Sequence, residues 1–310
     1  MRKFTSGSNE CTKCSEDYWS NLMRDACFPK DIDFLSYDDT LGALLASTAT
    51  LSTLTVTVVL CIFLKHRNTP VVKANNCNVS YFLIVTLGFC FLTALLFIGY
   101  PRYETCILRQ TTFGIFFSLC VSSVLAKTIV VVLAFKATKP DSMLKAWIGP
   151  KTPYYIIILC SALQVTICSV WLTRFSPFPE LNKKASGKII AECNEGSLIM
   201  FYSMLGYLGL LAGMSFVLAF FARNLPDRFN EAKYITFSMI IFITVWLSFI
   251  PAYHSTKGKF MVATEIFAIL SSSAAILICI FLPKCYIILV KTDLNTKHNL
   301  TCKQICIIKH

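Results

Sequence analysis

Apolar residues fall along this chain in long unbroken blocks, not at the two- or 3.6-residue spacing of a half-buried strand or helix. Seven such blocks stand out: Leu41–Leu64, Val79–Ile98, Thr111–Phe135, Tyr154–Leu172, Ser197–Ala222, Tyr234–Tyr253 and Phe260–Leu282. Roughly twenty apolar residues cross a ~30 Å hydrocarbon layer as a helix. In lipid only a helix satisfies its backbone within one segment. The pattern predicts an all-α membrane protein, a seven-transmembrane helix bundle, behind a short extracellular cysteine-bearing segment. Short connectors make successive helices antiparallel. The connector Arg223–Lys233 is the most structured of them in sequence terms. Pro226 breaks the helix before it, Asn230 is placed to cap the next one, and Glu231 sits where the positive end of a helix dipole favours an anion.

Charge sets the orientation. With the carboxyl terminus inside, the inner segments hold 15 Lys and Arg and the outer ones about 12, a weak positive-inside bias. Cysteines strengthen it. Cys106, at the start of the third block, and Cys193, in the loop Thr173–Gly196, lie on the same face as the head with Cys11, Cys14 and Cys27. Disulfides need an oxidising compartment, so this face is expected outside. Cys106 and Cys193 are read as a bridge, two free thiols being the alternative.

Composition agrees: 55% of residues are hydrophobic and 15% charged, against about a quarter charged in soluble domains. The net charge of +12 is spread between apolar runs without a dense basic face, so nucleic acid is not an expected partner. Cys11-Thr-Lys-Cys14 has no second pair, so no metal is expected, and no cofactor. None of His66, His254, His298 and His310 lies in an apolar block or beside a nucleophile, and there is no Gly-rich phosphate loop; an enzyme is not expected. A transporter would want charged or broken helices at mid-membrane and an internal repeat, and neither is present. Asn78-Val-Ser80 and Asn299-Leu-Thr301 match the glycosylation pattern but fall on the inner side.

A few polar residues inside the blocks are candidates for function. Lys127 lies twenty-one residues beyond Cys106, about 31 Å at ~1.5 Å per residue, which is the inner boundary. Glu231 begins the sixth block at the same depth. Two readings stay open: an ion pair tying the third and sixth helices, or Lys127 snorkelling to headgroups. Arg109 and Gln110, one turn into the third helix, and Glu265, in the seventh, lie near the outer face. They either line a polar cavity or form a structural closure of the bundle top. Trp246 sits mid-way along the sixth block, and Pro251 after it favours a kink; plain packing is the alternative for Trp246.

Several strings resemble one family: WSN with CFPKDIDFLSYDD (Trp19–Asp39), FLKHRNTPVVKANN (Phe63–Asn76), CILRQTTFG (Cys106–Gly114), VLAKTIVVVLAFKAT (Val124–Thr138), ARNLPDRFNEAKYITFSM (Ala222–Met239) and FLPKCYIIL (Phe281–Leu289). On these the chain resembles the transmembrane part of a class C (family 3) G-protein-coupled receptor. It is most similar to the vomeronasal type-2 and olfactory branch related to the calcium-sensing receptor. The Asp-Arg-Tyr and Asn-Pro-x-x-Tyr strings of the rhodopsin-like class are absent.

The resemblance implies roles residue by residue. Lys127 and Glu231 match an ionic lock. Arg109, Gln110, Trp246 and Glu265 match a helical pocket, the polar three at positions where calcium-sensing-like receptors bind amine modulators. Phe281, Pro283, Lys284 and Tyr286 match the span-seven motif. Arg223, Leu225, Pro226, Phe229 and Asn230 match part of a G-protein contact. Implied partners are a heterotrimeric G protein, a class C dimer mate and the plasma-membrane bilayer. The implied layout is a linker remnant over residues 1–39, the seven helices over 40–290 and a cytoplasmic tail over 291–310. The family's two-lobed ligand-binding domain is not in this sequence. Of its nine linker cysteines, three remain, an odd number without evident partners. A truncated product that dimerises with full-length receptors without signalling is the alternative expectation.

Overall fold

The computed structural model describes residues 2–4, 11–21, 23, 25–73, 77–136, 149, 151–183, 187–223 and 231–290. Among them, seven helices are long and apolar enough to cross a membrane. They are α1 (Thr40–Lys65), α2 (Cys77–Phe97), α3 (Tyr103–Lys136), α4 (Thr152–Phe175), α5 (Leu198–Ala222), α6 (Glu231–Ser255) and α7 (Lys259–Leu289). Helix α3 is the hub, packing on α2, α4 and α5, while α6 bridges α5 and α7. Of the apolar window of α3, 61% is buried, as in α7, against 22% in α1. The polar side chains of α1 are accommodated within the helix itself. Thr48, Thr50, Thr53, Thr55 and Thr57 each donate their hydroxyl to a carbonyl one turn back.

Helices α3 and α7 outrun their apolar blocks furthest. Helix α3 begins eight residues before Thr111, because the polar side chains of its first turns find partners at the bundle mouth. Helix α7 continues past Pro283 to Leu289. Leu277–Phe281 forms a π-helical turn just before it, so the missing N–H of Pro283 falls in the first turn of the segment that follows, where proline is tolerated. Helix α6 runs through Pro251 to Ser255.

The head and the α4–α5 loop carry strands that hydropathy does not reveal. Strand β1 (Arg2–Phe4) pairs with β2 (Cys11–Lys13), and β3 (Tyr18–Ser20) with β4 (Cys27–Pro29), both antiparallel. Strand β5 (Asp31–Asp33) joins the loop hairpin β6 (Phe178–Asn182) and β7 (Lys188–Asn194) in the order β5-β7-β6. Ile32 stands opposite Ile189 in the parallel β5–β7 pair. The head is thus knitted to the loop by a backbone ladder. The expectation that the head cysteines lack partners is corrected: Cys14 is bridged to Cys27, thirteen residues apart, across the turn that returns β3 to β4.

One close approach fixes the start of α1. A Cβ on Gly42 would run into the carbonyl oxygen of Ser36, so only glycine lets the head chain fold this tightly onto the first turn.

Candidate functional site

Buried charge gathers at both ends of the bundle. At the head end the site is built from Cys106 upward. Its bridge to Cys193 pins β7 over the start of α3. Two residues on, Glu195 turns into the bundle. Gly196 makes that turn with φ +67°, and a Cβ there would collide with the Phe175 carbonyl. Trp171 of α4 donates its indole N–H to the Glu195 carbonyl at 3.0 Å, fixing the backbone beneath the carboxyl.

Glu195 meets three helices there. Gln110 Nε2 of α3 donates to Glu195 Oε1 at 3.2 Å and to Glu265 Oε1 of α7 at 3.0 Å. Arg109 Nη2 stands 3.6 Å from Glu195 Oε1, with its guanidinium 5.4 Å from the Phe97 ring centre. The Tyr253 hydroxyl of α6 donates to Glu195 Oε1 at 3.5 Å. Arg109, Gln110, Glu195 and Glu265 are each at most 4% exposed. Glu195 lies outside the helices, and burial pushes its carboxyl up to about 8; Arg109 opposes that and Glu265 adds to it.

Arg109, Gln110 and Glu265 are therefore brought together, as a plug that crosses the bundle mouth. The sequence reading missed Glu195. Part of its signal was present: once Cys106 and Cys193 are joined, the residues after Cys193 lie near the start of α3 and Arg109, but the inward turn of Glu195 is made by Gly196.

Trp246 sits lower and touches none of these charges. Its ring lies 5.2 Å from Phe113 and 5.2 Å from Phe249 (centroid distances), and Phe249 lies 5.3 Å from Tyr253. An aromatic ladder of α6, Trp246–Phe249–Tyr253, thus runs up to Glu195. Trp246 also lines a cavity of about 380 Å³ between α5 and α6, walled by Gly206, Gly209, Gly213 and Phe242. This ladder is the link between Trp246 and the polar cluster of Arg109, Gln110 and Glu265.

At the opposite end, Lys127 Nζ of α3 donates to Glu231 Oε1 of α6 at 2.9 Å, and Lys284 Nζ of α7 donates to the same oxygen at 2.7 Å. Both lysines are 3% exposed, so Lys127 is turned into the bundle and does not reach out to headgroups. Lys284 was expected only as part of the span-seven motif; its bond to Glu231 was missed, although it is the third charge at the same depth. Phe281 is buried behind it, 5.6 Å from Phe63 (centroid distance), Pro283 is half-buried, and Tyr286 is exposed. Arg223 ends α5 with its guanidinium 3.9 Å from the Phe220 ring centre. Leu225, Pro226, Phe229 and Asn230 lie outside the described residues.

Residues 35–284 match the family described as the 7 transmembrane sweet-taste receptor of 3 GCPR. The chain is 52% identical to vomeronasal type-2 receptor 26 of Mus musculus over 285 residues, covering 92% of this chain and 33% of that protein. It is 50% identical to vomeronasal type-2 receptor 116 of Mus musculus, over 93% of this chain and 34% of the relative. It is 46% identical to the extracellular calcium-sensing receptor of Homo sapiens, over 89% and 26%. The chain spans about a third of the length of the vomeronasal relatives. Seven apolar helices, a matching family model over most of the chain and relatives at this identity lead to one conclusion: the chain belongs to the class C G-protein-coupled receptors, and is a receptor domain, not an enzyme.

Proposed function

We propose that this chain is the transducing bundle of a chemosensory receptor, vomeronasal in kind, which passes a signal from its head to a heterotrimeric G protein. The observation that carries the reading is the Lys127–Glu231–Lys284 cluster. One carboxylate ties α3, α6 and α7 at a single oxygen, so the three helices cannot separate there without stranding buried charge. In the proposed cycle this is the lock of the resting state. Activation moves α6 away from α3, a shift between two populations, and opens the face at the end of α5 where Arg223 stands; Leu225, Pro226, Phe229 and Asn230, in the connector that follows, are the other proposed G-protein contacts. That face is cytoplasmic, and the head is extracellular.

The head end supplies the input. The β5–β7 ladder, the Cys106–Cys193 bridge and Glu195 give head movement a path of covalent and hydrogen bonds to α3 and α7. Arg109, Gln110 and Glu265 form the mouth of the modulator pocket, with Trp246 below. The two carboxyl groups there suit the N–H donors of an amine. A dimer mate of the same class completes the assembly.

The test is basal G-protein activation in cells expressing this chain with an amino-terminal tag. A tag accessible on intact cells together with signal above mock supports the reading. An accessible tag with no signal means a silent core that pairs with full-length receptors, and contradicts it.

A further inference from the structure

Two carboxyl groups, one from the α4–α5 loop and one from α7, share a single amide. Glu195 Oε1 and Glu265 Oε1 both accept from Gln110 Nε2. One guanidinium, that of Arg109, stands 3.6 Å from Glu195 Oε1. Both glutamates are 4% exposed. Each keeps a second buried oxygen, Glu195 Oε2 and Glu265 Oε2, with no hydrogen-bond partner among the described residues. Two ionised carboxylates around one counter-cation repel, and a buried ionised oxygen without a donor is strongly disfavoured. A proton on one carboxyl removes the repulsion and turns an orphan acceptor into a donor.

We propose that the Glu195–Glu265 pair is a proton-binding site, which holds one proton at neutral pH and, on releasing it, loosens the loop from the bundle mouth. The groups that face the pair are Arg109 and Gln110 from α3 and Tyr253 from α6, while Trp171 of α4 holds the Glu195 carbonyl. Lys259, the nearest lysine in α7, is engaged with Asp33 and Asp39 of the head. Among the described residues the site thus has one cation for two acids. The position of Glu195, pushed up to about 8, agrees with the geometry. Because β7 leads into Glu195 and pairs with β5, a loosened loop also frees the head.

The sign follows from linkage. The folded chain keeps a proton that the unfolded chain releases near the ordinary carboxylate value of about 4.3. The folded state is therefore favoured at low pH and loses that advantage as pH rises from the ordinary carboxylate range toward about 8.

The proton's effect on signalling rests on the function proposed above, since this is the pocket assigned there; its binding does not. The experiment uses the full chain in lipid nanodiscs, followed by infrared spectroscopy and by unfolding midpoint between pH 5 and 9. The expected result is a protonated-carboxyl C=O band that disappears with a midpoint near pH 8, and an unfolding midpoint that falls toward that pH. In Glu195→Gln the band weakens and the midpoint no longer falls. Absence of the band in the wild type at pH 6 would overturn the proposal, as would the same pH dependence in Glu195→Gln. If Glu195→Gln does not fold, the wild-type band and Glu265→Gln decide on the same criteria. Basal G-protein activation measured alongside separates the two ideas. Titration without signal leaves the proton site standing and the receptor function refuted; signal without titration does the reverse.

Discussion

The two ends of the bundle solve opposite problems with the same kinds of residue. At the head end, two carboxyl groups share the Gln110 amide, one of them with a guanidinium at 3.6 Å, and buried atoms of Arg109, Gln110, Glu195 and Glu265 lack hydrogen-bond partners among the described residues. At the far end, two lysines meet one carboxylate at 2.9 and 2.7 Å, and no atom of these three side chains is among those lacking a partner. The first cluster is over-supplied with acid and open to a proton or a cation. The second is closed on itself. The function proposed above, with modulation at one end and a latch at the other, would use this asymmetry.

Substitutions that exchange the character of the two ends give the largest effects. Glu231→Ala strands two buried lysines, and removing one partner of a buried ion pair costs about 3–5 kcal/mol; unfolding in mixed micelles should register that loss. Cys106→Ser opens a loop of 87 residues and is expected to lower stability by about 2–4 kcal/mol. It should also raise proteolysis of the α4–α5 loop, which ties the effect to the head end. Lys127→Ala is milder, about 2 kcal/mol, because Lys284 still satisfies Glu231. Combining it with Lys284→Ala should cost more than the sum of the two, a coupling that a double-mutant cycle measures. Glu195→Gln is the mildest. An amide mimics the protonated carboxyl, so at pH 6 stability should stay within about 0.5 kcal/mol of wild type, whereas Glu231→Gln at the same pH should be clearly destabilised. If both Gln variants behaved alike, the contrast between the ends would be wrong.

What could be read from the sequence was whatever repeats along one helix. Twenty apolar residues announce a span without reference to any other part of the chain, and 1.5 Å per residue places Lys127 level with Glu231. Arg109 and Gln110 were visible as polar residues where polarity is costly. What could not be read depends on the path of the chain between helices. Glu195 sits in a polar loop, where a glutamate is unremarkable until the bridge and Gly196 turn it inward. The bond of Lys284 to Glu231 needs the π turn at Leu277–Phe281, which sets how far α7 is rotated when it reaches that depth. Strand β5 is three residues, Asp31-Ile32-Asp33, too short to show a period and formed only because β7 offers an edge. The Cys14–Cys27 bridge needed the β3–β4 turn to bring the two cysteines together.

The measurement that bears most directly on the account is basal G-protein activation by Lys127→Ala against wild type, at matched surface labelling. The account predicts higher basal activation in the variant, because Glu231 then holds α6 to α7 but no longer to α3. Equal activation at equal surface density would mean that the Lys127–Glu231 bond is structural packing at the foot of the bundle, and the latch would have to be abandoned.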